Sequence, residues 1–154
     1  MSRHPQWEQR LHDVIAANLT RPHRYGAHDC LLWPAAVVEA ITGEDHAAKH
    51  RGKYDSLAKA YRHLKKLGFD SPEALLDSMF EAKPIGFCGR GDLVLVAIPE
   101  EVAPGGIQLP AVVIGDAALA IVADTVDFEG LARFPRSTWL KGWAVGDHHS
   151  GPFA

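Results

Sequence analysis

The chain has 154 residues, 47% of them apolar and 23% charged, with a formal charge of −3. That size fits one domain with its own core, and the slight acidity lacks the concentrated Lys and Arg that nucleic acid or an anionic membrane would need. No apolar run approaches the roughly 20 residues of a membrane span, and two cysteines cannot form a disulfide framework.

The opening stretch, MSRHPQWEQR, has no apolar core of a secretory leader. The expectation is a protein made and kept in a cytoplasm unless another machine carries it out. In PQWEQRLHDVIAANL, the positions Trp7, Leu11, Val14, Ile15 and Leu19 follow helical spacing. TRPHRYGAHD is a polar connection with Pro22 and Gly26. LLWPAAVVEAI predicts a second helix stopped at Thr42-Gly43, where glycine suits a left-handed cap. SLAKAYRHLKKL predicts a third, with Ser56 as N-cap, Leu57, Tyr61 and Leu64 on one face, and a basic wet face from Arg62 to Lys66. The fourth opens with Ser71-Pro72 and carries Leu75, Leu76, Met79 and Phe80.

After Lys83-Pro84 the pattern changes. GFCGRGD is a glycine-rich turn without the Gly-Lys-Ser/Thr ending of a phosphate loop, and Cys88 within it reads as structural. DLVLVAI, AVVIGD, ALAIVAD, TVDFEGL and GWAVG are short strand-like runs, and EEVAPGGIQLP is a loop between the first two. Helices over residues 1 to about 82 and strands over about 88 to 147 predict a single α+β domain across 1–154.

The chemistry centres on Cys30. Asp29 is a candidate N-cap for a helix opening at Cys30, and a thiol among the unpaired N–H groups of a helix start ionises more readily. Pro34 lies four residues on and crowds that first turn, so the regular helix could instead begin nearer Leu32. From position alone, a cysteine beside an apolar helix is more often a small structural side chain than a reactive one. His23 and the pair His148-His149 carry metal-binding atoms, but no ligand pair has zinc-site spacing, and neither metal nor cofactor is expected.

A cysteine opening a helix in a helical first half, followed by a Gly-Asp-hydrophobic strand, resembles the NlpC-type cell-wall peptidases of the papain-like superfamily. Asp29-Cys30 matches the first two residues of that family's D-C-S-G-L nucleophile motif, and Gly91-Asp92-Leu93-Val94-Leu95-Val96 echoes its G-D-L-V-F-F strand. A closer likeness is to small phage-encoded NlpC-like proteins found among tail genes. The shared pieces are Asp29-Cys30 with Trp33, Thr42-Gly43 with Asp45, Arg51-Gly52 with Tyr54, Gly91-Asp92, and Trp143 with Val145-Gly146. The resemblance implies a papain-like fold, with the helical half packed on a small antiparallel β-sheet or partial barrel.

It also implies a departure. The family's catalytic histidine falls on Leu109, followed by Pro110 and Ala111. All nine histidines lie at positions 4 to 63 or at 148 and 149, and the stretch from GFCGRGD to GWAVG has none. Without a base, a cysteine at its ordinary pKa is only a few per cent thiolate at neutral pH, and nothing protonates the leaving amine. His28 is the nearest substitute in sequence, with His148 or His149 able to return from the tail, and Asp124 falls near the family's third polar position.

The expectation is therefore a degenerate peptidase fold serving as a structural or assembly part of a phage tail tip or hub. Its partners would be other tail proteins, and it would pass from the host cytoplasm into the virion tail. The alternative is an active cysteine peptidase or amidase cutting peptidoglycan peptides during DNA delivery, with Cys30 as nucleophile.

Overall fold

The computed structural model describes residues 1–101, 105–122 and 130–146. Four helices come first: α1 (Trp7–Asn18), α2 (Leu32–Thr42), α3 (Leu57–Lys66) and α4 (Pro72–Met79). The strands follow: β1 (Glu81–Ala82), β2 (Leu93–Ala97), β3 (Gln108–Val113), β4 (Ala117–Ile121), β5 (Leu131–Pro135) and β6 (Trp139–Ala144). They form one antiparallel sheet in the order β1-β6-β2-β3-β4-β5. The α+β reading holds. Among the described residues no helix is long and apolar enough to cross a membrane.

The helix ends follow their side chains. Ser56 Oγ accepts from Lys59 N and Ser71 Oγ from Ala74 N, each satisfying a first-turn donor. Pro72 takes the first helical position of α4, where a missing N–H costs nothing. α2 begins at Leu32 rather than Cys30, which places Pro34 in the first turn and removes the clash that a helix opening at Cys30 would create.

Two expectations about strands are corrected. The β5 strand lies at Leu131–Pro135, downstream of the TVDFEGL run, most of which falls outside the described residues. Its alternation of buried Ala132 and Phe134 with exposed Arg133 and Pro135 is that of a one-sided edge strand, which tolerates the terminal proline. The β3 strand begins at Gln108, inside the expected loop, and carries Pro110. β3 pairs with β4 only at Val112↔Leu119 and Val113↔Ala118. Proline has no N–H to give a ladder, and the two strands part at its level. That parting matters below.

Both faces of the sheet are buried. On one, Leu93, Leu95, Val112 and Leu119 pack on Trp33, Val37 and Ile41 of α2 and on Leu11 of α1. Trp33 Nε1 donates to Leu119 O at 3.0 Å, and Trp143 Nε1 donates to Asp77 Oδ1 at 2.9 Å, so each indole pins a helix to the sheet. On the other face the small side chains Ala111, Ala118, Ala120 and Ala132 let the strands close around Val94, Val96, Phe134 and Trp139. Cys88 is buried in this second cluster and donates to Pro84 O at 3.6 Å, a structural role as expected.

The GFCGRGD turn is a stitching point. Asp92 Oδ1 accepts from Arg3 Nη2 at 3.0 Å and from Val145 N at 3.1 Å; Oδ2 accepts from Lys83 Nζ at 2.7 Å and from Gly89 N at 2.9 Å. Arg3 also donates through Nε to Val145 O and through Nη1 to Arg90 O, both at 2.8 Å. A buried charge survives only when so fully paired. Gly91 has φ +88°, and a Cβ there would stand 2.9 Å from Arg3 Nη1, so glycine admits the guanidinium.

Candidate functional site

The loop ahead of α2 doubles back on itself. Arg24 N donates to His28 O and His28 N to Arg24 O, both at 2.8 Å. Asp29 then fixes the approach to the helix. Its Oδ1 accepts from Leu31 N and Leu32 N at 3.0 Å each, and its Oδ2 from Gly26 N at 2.8 Å. Asp29 thus accepts from N–H groups at the head of α2, but the helix begins at Leu32, two residues later than Cys30, and its N-cap position falls on Leu31 rather than on Asp29.

The motif pieces separated in sequence meet here. Gly52 N donates to Gly26 O at 2.8 Å, and a Cβ on Gly26 (φ +79°) would stand 2.6 Å from Tyr54 O. Tyr54 is buried, and its hydroxyl has no hydrogen-bond partner of good geometry. Burial, and then the nearby Asp29 carboxylate, push that phenol's pKa up. Arg51 and Asp45 form an ion pair at 3.2 Å, and Asp45 accepts from Ala47 N at 3.1 Å. The Gly52–Tyr54 stretch is thus tied to the turn that carries Gly26 and Asp29, just ahead of Cys30.

Cys30 opens on an apolar cavity of about 80 Å³, lined in part by Leu109 and Ile121 beyond the last β3–β4 pair. Leu109, Ile107, Ile121 and Val122 form the sheet side; Leu57, Ala60, Tyr61 and Leu64 of α3 form the helix side. Part of the residue reaches the surface, while the thiol itself sits deep among these neighbours. Burial pushes its pKa up to about 12, with the Asp29 charge adding to it, against a smaller lowering by the N–H groups of Cys30 and Leu31. Position at a helix start predicts an activated thiol; desolvation outweighs that effect, and the thiol stays protonated at neutral pH.

The other predicted residues fall as follows. Leu109 lies on β3, almost fully buried, and lines the same pocket as Cys30. His28 is 2% exposed, with its ring edge-on to Trp33 at 6.2 Å and its Nε2 without a hydrogen-bond partner. Burial lowers its pKa to about 4, helped by the charges of Arg21 and His23 against that of Asp29. His28 is not among the residues that line the Cys30 pocket. Asp124, His148 and His149 lie outside the described residues.

One residue of the pocket was missed in the sequence. His23 lines the Cys30 pocket, with its ring edge-on to Tyr25 at 4.5 Å. Its signal in sequence was faint: seven positions before Cys30, in a loop whose tight Arg24–His28 turn carries the chain back. A second imidazole contact lies nearby, His50 Nδ1 to His63 Nε2 at 2.9 Å. Among the described residues no three His, Cys, Asp or Glu side chains are grouped so as to hold a metal ion.

Residues 2–145 match DUF6950, a domain of unknown function, and the chain belongs to that family. No curated protein and no solved structure matches the chain.

Proposed function

We propose that this member of the family is a binding and assembly part of a phage tail, near the tip or hub, built on an NlpC-like fold that no longer works as a peptidase. The observation that carries the reading is the shared pocket of Cys30 and Leu109, with an aliphatic side chain on the strand to which the resemblance assigns the catalytic imidazole. A thiol raised to about 12 supplies almost no nucleophile at pH 7, and leucine can neither take its proton nor return one to a leaving amine. The helical half packed on an antiparallel sheet supports the papain-like assignment, as does the placing of the Gly-Asp turn at the head of β2. On this reading the partners are other tail proteins, and the chain moves from the host cytoplasm into the virion tail.

Locating the chain in purified particles, by mass spectrometry and then by density in the assembled tail, tests the proposal. Particles that contain no copies overturn it.

A second reading, an active cell-wall cysteine amidase, is favoured by one observation: His23 lines the Cys30 pocket. There the Cys30 thiol would pass its proton to His23, attack the peptide carbonyl and expel an amine that takes the same proton, leaving a thioester. Water, giving its proton to His23, would then hydrolyse that thioester, returning the carboxyl product and the free thiol. Muropeptide hydrolysis lost on both Cys30→Ser and His23→Ala would establish this reading in place of the first.

A further inference from the structure

We infer that the hydrogen bond between His50 and His63 is an acid-released latch that holds α3 against the Cys30 pocket. The inference rests on geometry and is independent of whether the pocket serves assembly or hydrolysis. His50 follows a short 3-10 turn (His46–Lys49), is 6% exposed, and meets His63 through Nδ1 and Nε2 at 2.9 Å. His63 projects from α3, the helix whose Leu57, Ala60, Tyr61 and Leu64 form one wall of the pocket. Leu57 and Tyr61 each remain 44% exposed, so this wall stands at the surface. Leu64 anchors it by packing with Leu31 and Leu75, while the Lys59–Asp55 pair and the Ser56 cap are local to the helix start.

An N–H···N bond between two imidazoles needs one proton between the facing nitrogens. With both rings neutral, one donates and the other accepts. A first added proton preserves the bond, because an imidazolium donates to a neutral ring. A second turns N–H against N–H and sets two positive charges side by side.

The groups facing His50 decide when that happens. His63 on α3 and Lys49 and His46 on its own turn oppose a charge on His50, and Asp29 at the head of α2 favours one. Tyr54, whose ring lies 5.7 Å from that of His63, is held neutral. Burial is the largest influence and lowers the His50 pKa. An unperturbed imidazole takes its proton near pH 6.5; burial and the facing His63 charge hold His50 below that value, so the latch stays closed at neutral pH and opens only as the pH falls below 6.5 and His50 is charged beside a charged His63. Its release frees α3 and uncovers an apolar wall and the Cys30 thiol.

The test follows Cys30 modification by 4,4′-dithiodipyridine, a reagent that reacts with thiols in mild acid, with the adduct located by peptide mass mapping. Rates are divided by those of glutathione at each pH. Between pH 7.5 and pH 5 the normalised rate is expected to rise about tenfold, the worth of one ordinary hydrogen bond, while far-UV circular dichroism is unchanged. His63→Gln places an amide oxygen at the reach of Nε2 and keeps the bond to a charged His50, so its rise stays below about twofold. His50→Asn does the same from the Nδ1 side. Hydrogen exchange in the unaltered protein at pH 5, raised in α3 and not in α2, reads the same release without a substitution. A normalised rate that is flat, or that rises only with loss of the dichroism signal, overturns the latch. So does an equal rise in both substituted proteins, or exchange that rises in α2 as much as in α3.

Discussion

Cys30 and Leu109 line one apolar pocket from two elements, the thiol from the turn ahead of α2 and the leucine from β3. β3 and β4 pair only at Val112↔Leu119 and Val113↔Ala118, and Leu109 and Ile121, beyond the last pair, both line this pocket. The lining around this thiol is mainly hydrocarbon. Four outcomes follow from this site and its scaffold.

Cys30 is expected to resist alkylation. A free thiol is half ionised near pH 8.5, whereas burial and Asp29 push Cys30 up to about 12. Iodoacetamide at pH 8.5 should modify Cys30 at least ~10-fold more slowly than glutathione, since the rate follows thiolate. The folded protein disfavours the thiolate, so this group's contribution to stability is complete below about pH 8.5 and is lost as pH rises toward 12. Cys30→Ala should remove that part of the alkaline destabilisation, as read by urea unfolding at pH 7 and pH 10.

Removing the Asp92 carboxylate should be severe. Asp92→Ala leaves Arg3 buried with its carboxylate partner gone and strips Val145 N, Gly89 N and Lys83 Nζ of their acceptor. Breaking a buried pair on one side costs about 3–5 kcal/mol. A urea midpoint unchanged in Asp92→Ala would show that water replaces these contacts without penalty.

His28 should make the protein acid-sensitive. Its folded pKa is lowered to about 4 from an unfolded value near 6.5, because the ring is buried with Nε2 unpartnered. The unfolded chain binds the extra proton in that interval, so stability is complete above about pH 6.5 and falls as pH drops toward 4. His28→Leu, close in volume and without a titrating nitrogen, should move the acid-unfolding midpoint down by about one pH unit. This loss is global, unlike the local release expected at His50 and His63.

Gly26 should not accept a side chain. At φ +79° an L-residue is strained, and its Cβ would collide with the carbonyl oxygen of Tyr54, which belongs to backbone and cannot swing aside. Gly26→Ala should cost about 2–4 kcal/mol and loosen the Asp29 contacts that share this loop. Thermal unfolding measures the first effect, and faster exchange of the Leu31 and Leu32 amides the second.

The elements that could be read ahead of the structure were those with a local cause. Ser56, Ser71-Pro72 and Gly43 mark helix ends through hydrogen bonds made within one turn, and the apolar spacing of α1, α2 and α4 faces one core, while Leu64 of α3 packs in a smaller cluster with Leu31 and Leu75. β1 could not be read, because two residues form a strand only through the pairing of Glu81 and Ala82 with Ala144 and Trp143. The site divides in the same way. Asp29 as an acceptor at the head of α2 follows from its neighbours in the chain, and Leu109 opposite Cys30 follows from a resemblance in order and spacing. The raised pKa of the thiol and the presence of His23 in its pocket depend on how a loop and two strands meet in space.

The web around Asp92 has a mechanical consequence. Arg3 grips Val145 O, and Asp92 holds both Arg3 and Val145 N, so chain attached ahead of residue 3 and chain attached beyond residue 145 leave the domain from one spot. Tension applied between two such attachments would load this clasp before it strained the hydrophobic interior, and a neighbour tethered at either end would feel the same anchor.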